Sequence, residues 1–227
     1  MKEYRKNELK NYVIGNILII MMLSGVINFI YNNLGRNIDD LKNLVSVVLN
    51  SALFSSVLYI YVYIFDSVIT SRFKETIIYF ICGRPGDTIF EKILEPEIDA
   101  RFTVNEVNEK YKDIYTELNQ ISDIKQKRHF QNSKWYKIYQ SLEKDEMVRM
   151  SQQDFLLNRD MCSISIVILV LYIIFSLLSS FYTIRISVIA WVVVEIIITQ
   201  IAAMNKARRF AMNVIAKDVH RGKNASS

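Results

Sequence analysis

Cysteine, histidine, proline and glycine are all scarce in this chain, and each shortage removes a class of explanation. Two cysteines, Cys82 and Cys162, supply no disulfide framework and no zinc-ligand spacing. The two histidines, His129 and His220, lie far apart and belong to no His-Glu-x-x-His pattern. No Gly-x-Ser-x-Gly elbow occurs and no Cys–His pair suggests itself, so the sequence argues against an enzyme and calls for no cofactor or metal. With two prolines and six glycines, the long apolar runs carry none of the breaks that mark the discontinuous helices of transporters. Internal repeats and low-complexity tracts are missing as well.

Long apolar runs are what the chain does have. Asn11 to Gly35, Asn43 to Phe65 and Met161 to Ile184 hold no Asp, Glu, Lys or Arg, and Ile186 to Asn205 holds only Glu195. A helix rises 1.5 Å per residue, so roughly 20 residues cross the hydrocarbon of a bilayer. Four uncharged helices buried on all sides would need more interior than a chain of 227 residues can offer. The expected fold is therefore all-α: a four-helix transmembrane protein with a helical cytoplasmic domain inserted between spans two and three. Its divisions are 1–70 for the N-terminal tail and first two spans, 71–160 for the domain, 161–205 for the last two spans, and 206–227 for a basic tail, frayed beyond Val219. The first run follows a basic start but is too long for a secretory signal and lacks a small-residue cleavage step, so it reads as a retained span.

The cations set the expected orientation. Lys2, Arg5, Lys6 and Lys10 precede the first span, and Lys206, Arg208, Arg209, Lys217, Arg221 and Lys223 follow the last, whereas the opposite loops hold only Arg36, Lys42 and Arg185. Both termini and the middle domain are accordingly expected in the cytoplasm, where Cys82 and Cys162 would stay reduced. The formal charge of +5 is explained by cations beside anionic headgroups, worth about 1 kcal/mol each, and points to the lipid bilayer rather than to a specific nucleic acid.

Within the middle region, Thr103-Val-Asn-Glu106 is a capping box, followed at helical spacing by Val104, Val107, Tyr111, Ile114, Tyr115 and Leu118. Asn132 or Ser133 is the expected cap of a second helix carrying Trp135, Tyr136, Ile138, Tyr139 and Leu142. A third is expected from near Asp145 through Phe155, Leu156 and Leu157 straight into the third span, which would let a cytoplasmic movement reach the bilayer. Gly83-Arg84-Pro85-Gly86-Asp87 is a turn without the ending of a phosphate loop, and Asp87 is the expected cap of a short helix ended by Pro96. The acids that follow, Glu91, Glu95, Glu97 and Asp99, read as a solvated face rather than a metal site.

Three sets of residues are candidates for function. Lys125, Lys127, Arg128, Lys134, Trp135 and Tyr136 combine cations with flat rings, which suits a phosphate-bearing base or equally a domain lying on anionic headgroups. Asp66 and Arg72 close the second span while Arg159 and Asp160 open the third, where they can form cross-helix ion pairs or simply be solvated. Asn16, Asn28, Asn50 and the serines Ser46, Ser51, Ser55 and Ser56 are polar groups within spans, explained by close helix packing. Glu195, with Asn50 and Gln200, is the sharpest feature, because a carboxylate near mid-bilayer must lose its charge, find a partner or face water. In one reading it is protonated and bonded to an Asn, a Ser or Gln200. In the other, Glu195 side chains of several subunits line a cation-favouring ring, which requires a homo-oligomer.

Arg84-Pro85-Gly86 with Phe90, Trp135-Tyr136 with Tyr139, and Phe155-Leu156-Leu157 with Arg159-Asp160 resemble a group of small four-span bacterial membrane proteins associated with antiphage defence. The resemblance covers roughly residues 80 to 160 and the span layout. It implies an abortive-infection role. The leading expectation is a non-enzymatic inner-membrane effector that permeabilises the membrane on a cytoplasmic signal, a cyclic nucleotide or a soluble partner protein. The alternative expectation is a membrane-anchored sensor or scaffold that recruits a soluble partner and conducts nothing.

Overall fold

A computed structural model of the chain describes residues 2–25, 38–80, 83–95, 98–178 and 184–224. These residues form nine α-helices and one 3₁₀ turn, and no strand occurs among them. The helices are α1 (Lys2–Leu23), α2 (Ile38–Val68), α3 (Ser71–Tyr79), α4 (Ile89–Lys92), α5 (Val104–Lys110), α6 (Lys112–Asn119), α7 (Ile124–Leu142), α8 (Glu146–Leu178) and α9 (Ile186–Asn224). Asn28, Arg36, Cys82, Pro96 and Glu97, named above, lie outside the described residues, as does the latter part of the first expected span.

Three helices are long and apolar enough to cross a membrane: Val45–Val68 within α2, Glu146–Leu178, and Ile186–Arg221 within α9. Many of their large apolar side chains point outward, among them Leu49, Leu53, Ile60, Leu177, Val194, Ile198 and Ile201. Water penalises an apolar exterior of that extent, whereas lipid accommodates it. The helix α1 is not among these three: it ends at Leu23 and turns at Ser24 and Gly25, whose φ is +78°, so the run expected as the first span is not a single unbroken helix.

The chain divides into two compact units, 1–77 with 157–201, and 78–156 with 202–227. In the first, one stripe per helix is buried: Leu9, Val13, Ile17 and Ile20 from α1, Phe54, Leu58 and Val62 from α2, Ile164, Ile168, Leu171 and Tyr172 from α8, and Val188 and Val192 from α9. Steps of three and four residues put each set on one helix face. Interleaved with them are buried small polar residues, Ser51, Ser163, Ser165 and Thr199, which permit close helix approach. The hydroxyl of Thr70 accepts from the Phe73 N–H at 3.3 Å and caps α3. The phenol of Tyr172 accepts from the Arg185 N–H at 3.0 Å, just before α9 begins.

In the second unit the capping box forms as the sequence dictates. Thr103 Oγ1 accepts from the Glu106 N–H at 3.3 Å and a Glu106 carboxylate oxygen accepts from the Thr103 N–H at 2.8 Å. The expected single helix after it is two, α5 and α6, meeting at the buried Tyr111. Asn132 and Ser133 cap nothing, since they lie inside α7, whose cap is Asp123 accepting from the Gln126 N–H at 2.7 Å. The helix α8 starts near Asp145 as expected, and Asp145 caps it, accepting from the N–H groups of Met147 and Val148 at 3.0 and 3.2 Å.

The turn before α4 is held from a distance. Asp87 accepts from the Arg84 N–H at 3.3 Å instead of capping α4. The α4 N–H groups go to Gln131, whose buried side-chain oxygen accepts from Phe90 N at 3.1 Å and Glu91 N at 3.4 Å. Gly86 is buried against α7, where a Cβ would stand 2.4 Å from Asn132 Oδ1 and 3.3 Å from the Trp135 ring.

Residues 206–219, read from sequence as a basic tail, lie in α9, which continues to Asn224 past the expected fraying point. Ala211, Ile215 and Val219 pack with Phe90, Ile93, Phe102, Val107 and Tyr111, while Phe210 and Val214 pack with Leu142 and Val148. Trp135 touches both clusters, edge-on to Phe210 at 5.5 Å and stacked on Tyr139 at 5.9 Å.

Two outcomes follow from this packing. Gly86→Ala overpacks the turn against α7 and should lower stability by about 1–3 kcal/mol, seen as an earlier unfolding transition in helical circular dichroism. Burial by itself raises the Asp145 carboxyl, but the Val148 and Met147 N–H groups and Lys217 outweigh it and hold the group below its ordinary range. Its stabilisation is complete above about pH 4, the unfolded carboxylate value, and disappears as pH falls through the lowered folded value. Acid titration of Asp145→Asn should therefore show a shallower loss of helix over that window than the parent protein, from a lower starting stability.

Candidate functional site

The first unit gathers its polar side chains at two levels of otherwise apolar helices. One level is a charged network where α2 and α3 meet the start of the membrane-length part of α8. Lys74, only 5 % exposed, donates to the Asp66 carboxylate and lies 3.7 Å from Asp160. Arg159 holds Asp160 through Nε and Nη2 at 3.0 and 2.9 Å and approaches Glu75 at 3.8 Å. Three of the four residues expected at this boundary, Asp66, Arg159 and Asp160, are thus brought together. Arg72 is exposed and its place is taken by Lys74, with Glu75 beside it. The sequence signal was present but ambiguous: Lys74 and Glu75 stand half a helical turn or so beyond Arg72, and which face of α3 turns inward depends on the break at Ile69 and Thr70.

The second level surrounds Glu195. Its half-buried carboxylate accepts through Oε1 from Asn16 Nδ2 at 2.8 Å, joining α9 to α1. The same Asn16 amide donates to the Tyr12 carbonyl at 3.2 Å, and Asn16 is 2 % exposed. The Tyr12 phenol lies beside the carboxyl and bonds Ser165 Oγ of α8 at 2.6 Å. Ser165 in turn donates to the Met161 carbonyl at 3.0 Å. Four residues from three helices therefore make one polar cluster, with Cys162 nearby, its thiol directed to the Ile196 carbonyl at 3.9 Å. Of the partners considered for Glu195, an Asn is the one present. Gln200 donates to the Ile77 carbonyl at 3.2 Å, and Asn50 donates to Ser46 on its own helix at 3.4 Å, so neither joins the cluster. Tyr12 and Ser165 were missed because tyrosine and serine are unremarkable in apolar helices until long-range packing puts them against an acid.

The cationic and aromatic set on α7, in the second unit, is dispersed. Trp135 is packed in the core with its indole N–H directed to the Ala211 carbonyl at 3.4 Å, so its face is not open to a base. Lys134 pairs with Glu117 at 2.9 Å and sits 4.9 Å from the centre of the Phe130 ring, and Lys127 pairs with Glu91 at 3.5 Å. Lys125, Arg128 and Tyr136 remain exposed.

Where α8 begins, this unit also forms a polar cleft of about 470 Å³ lined by Asp145, Asp154, Arg209, Asn213 and Lys217. Its walls carry the ion pairs Lys217–Asp145 at 3.2 Å and Lys206–Asp154 at 2.6 Å. Asn213 accepts from Arg101 Nη1 at 2.7 Å, and two hydrogen bonds donated by the Arg101 guanidinium hold the Asp99 carboxyl below its usual range. Burial, aided by the Asp218 carboxylate, pushes the Tyr111 phenol well up, so its hydroxyl stays a donor to Asp218 at 2.8 Å.

Lys74 and Arg72 give a direct contrast. Lys74→Met leaves Asp66 and Asp160 without their shared cation and should cost about 3–5 kcal/mol, whereas Arg72→Met should stay within about 0.5 kcal/mol; thermal unfolding in detergent separates them. Comparison with known proteins adds no constraint: no protein-family model matches the chain, and no curated protein or solved structure matches it.

Proposed function

We propose that the chain is a non-enzymatic effector of a bacterial inner membrane, with its termini and the 78–156 region on the cytoplasmic side. On a cytoplasmic signal it permeabilises the membrane as a homo-oligomer. The observation that best supports this reading is the Glu195–Asn16 contact: an acid among apolar, membrane-length helices, held to another helix by a neutral amide. Release of that contact frees a carboxylate for a shared axis between subunits, where a ring of them favours cations. The exposed Lys125, Arg128 and Tyr136 supply a cytoplasmic surface for a nucleotide or a soluble partner protein. An antiphage role fits the resemblance carried by Arg84-Pro85-Gly86 and the residues quoted with it.

A second reading, a membrane-anchored sensor or scaffold that conducts nothing, has its own support. Asn16 is almost wholly buried, which suits a contact that organises the bundle of one chain.

Glu195→Gln separates the two, because it keeps the shape and an oxygen to accept from Asn16 while removing the charge. For an effector, expression of the parent protein with its trigger collapses the membrane potential followed with a voltage-sensitive dye, and the variant changes ion selectivity or toxicity. For a scaffold, the potential holds in both and only assembly differs.

A further inference from the structure

Glu195 and Asn16 leave a specific deficit. Glu195 Oε2 and Asn16 Oδ1 are both buried and both lack a hydrogen-bond partner among the described residues. Each is an acceptor, so the cluster is short of protons and not of lone pairs. Ser165 can donate to the Met161 carbonyl at 3.0 Å, and in its 2.6 Å contact with Tyr12 either hydroxyl can be the donor. The Tyr12 phenol also lies within hydrogen-bonding reach of the carboxyl. The Asn16 amide donates to Oε1 at 2.8 Å, and Oε2 has no hydrogen-bond partner among the described residues. An ionised Glu195 would leave its own Oε2 and the neighbouring Asn16 Oδ1 both unsatisfied inside an apolar bundle, a costly arrangement.

We infer that Glu195 and Asn16 form an intramembrane proton-binding site, in which a proton on Oε2 is shared with the Asn16 carbonyl oxygen or the Tyr12 phenol. One proton converts Oε2 from an unsatisfied acceptor into a donor and supplies an acceptor of the pair with its partner. The inference rests on the membrane reading of α8 and α9 and deepens the role given to Glu195, since gain or loss of this proton decides whether α1 and α9 stay joined. The titratable groups on the packed elements are few. The phenol of Tyr12 comes from α1, and the Cys162 thiol of α8 is directed to the Ile196 carbonyl. On α9 itself, Gln200 is neutral and turned to Ile77. Lys74, Arg159 and Asp160 pair among themselves and with Asp66 in the separate boundary network.

Infrared spectroscopy of the full-length protein in liposomes tests this without any trigger or pore. A carboxylic-acid carbonyl band should be present at neutral pH, shift in D₂O, be lost in Glu195→Gln, and move in frequency in Tyr12→Phe or Asn16→Ser. The Tyr12 variant retains an aromatic of the same size, so it reports on the site even where the others fold poorly. A parent protein with no such band at neutral pH, or a band unmoved by both neighbour variants, overturns the inference. So does a band abolished on replacing potassium by sodium, which would make the site one for a metal cation. Failure of the effector reading alone would leave the band in place and the membrane potential unchanged.

Discussion

Hydrocarbon offers no hydrogen bonds, and that constraint governs every polar side chain in the membrane-length helices. Backbone groups meet it by forming long uninterrupted helices, and the three membrane-length stretches contain neither proline nor glycine. Side chains meet it by pairing across helices: Tyr12 with Ser165, Asn16 with Glu195, Lys74 with Asp66 and Asp160. Apolar contacts alone discriminate poorly between helix rotations, because lipid tails are as apolar as leucine. The polar pairs therefore define which face of α1, α3, α8 and α9 turns inward, and Glu195 is both the costliest group and the one that ties α9 to α1.

The second unit obeys a different constraint. Its helices are short, and α4 has only four residues, too few to persist alone. They are held by side chains that act over long sequence separations. Gln131 substitutes for the missing cap of α4, Gly86 lets the turn lie against α7, and Tyr111 fastens the junction of α5 and α6 to Asp218. Trp135 belongs to this scaffold. Its two clusters share it, and the ring that composition alone would offer to a ligand is occupied by Phe210 and Tyr139.

Local signals were legible in the sequence and distant ones were not. The capping box at Thr103 and Glu106 and the cap at Asp145 involve residues within three positions of one another, so pattern alone finds them. The α7 cap was misplaced because Asn132 and Ser133 have the same intrinsic preference as Asp123, and only the continuity of the helix tells them apart. Glu195 stood out by its charge and Asn16 as a polar group in an apolar run, but they are 179 residues apart and nothing local pairs them or adds Tyr12 to the pair. Residues 206–219 looked like a solvated tail because Lys206, Arg208, Arg209 and Lys217 dominate their composition. At helical spacing the same stretch presents Ala207, Ala211, Val214, Ile215 and Val219 on the opposite side, and that side fills a core.

This last feature bears on how the protein is made. The second unit draws on residues 78–156 and again on 202–227, with the uncharged run 161–178 of α8 and the largely apolar residues 186–201 of α9 encoded between. Phe90, Ile93 and Val107 emerge from the ribosome long before Ala211, Ile215 and Val219, the residues that cover them. Translation must pass through both hydrophobic segments before that core can close, so the unfinished half spends the interval exposed and open to chaperones or to neighbouring chains.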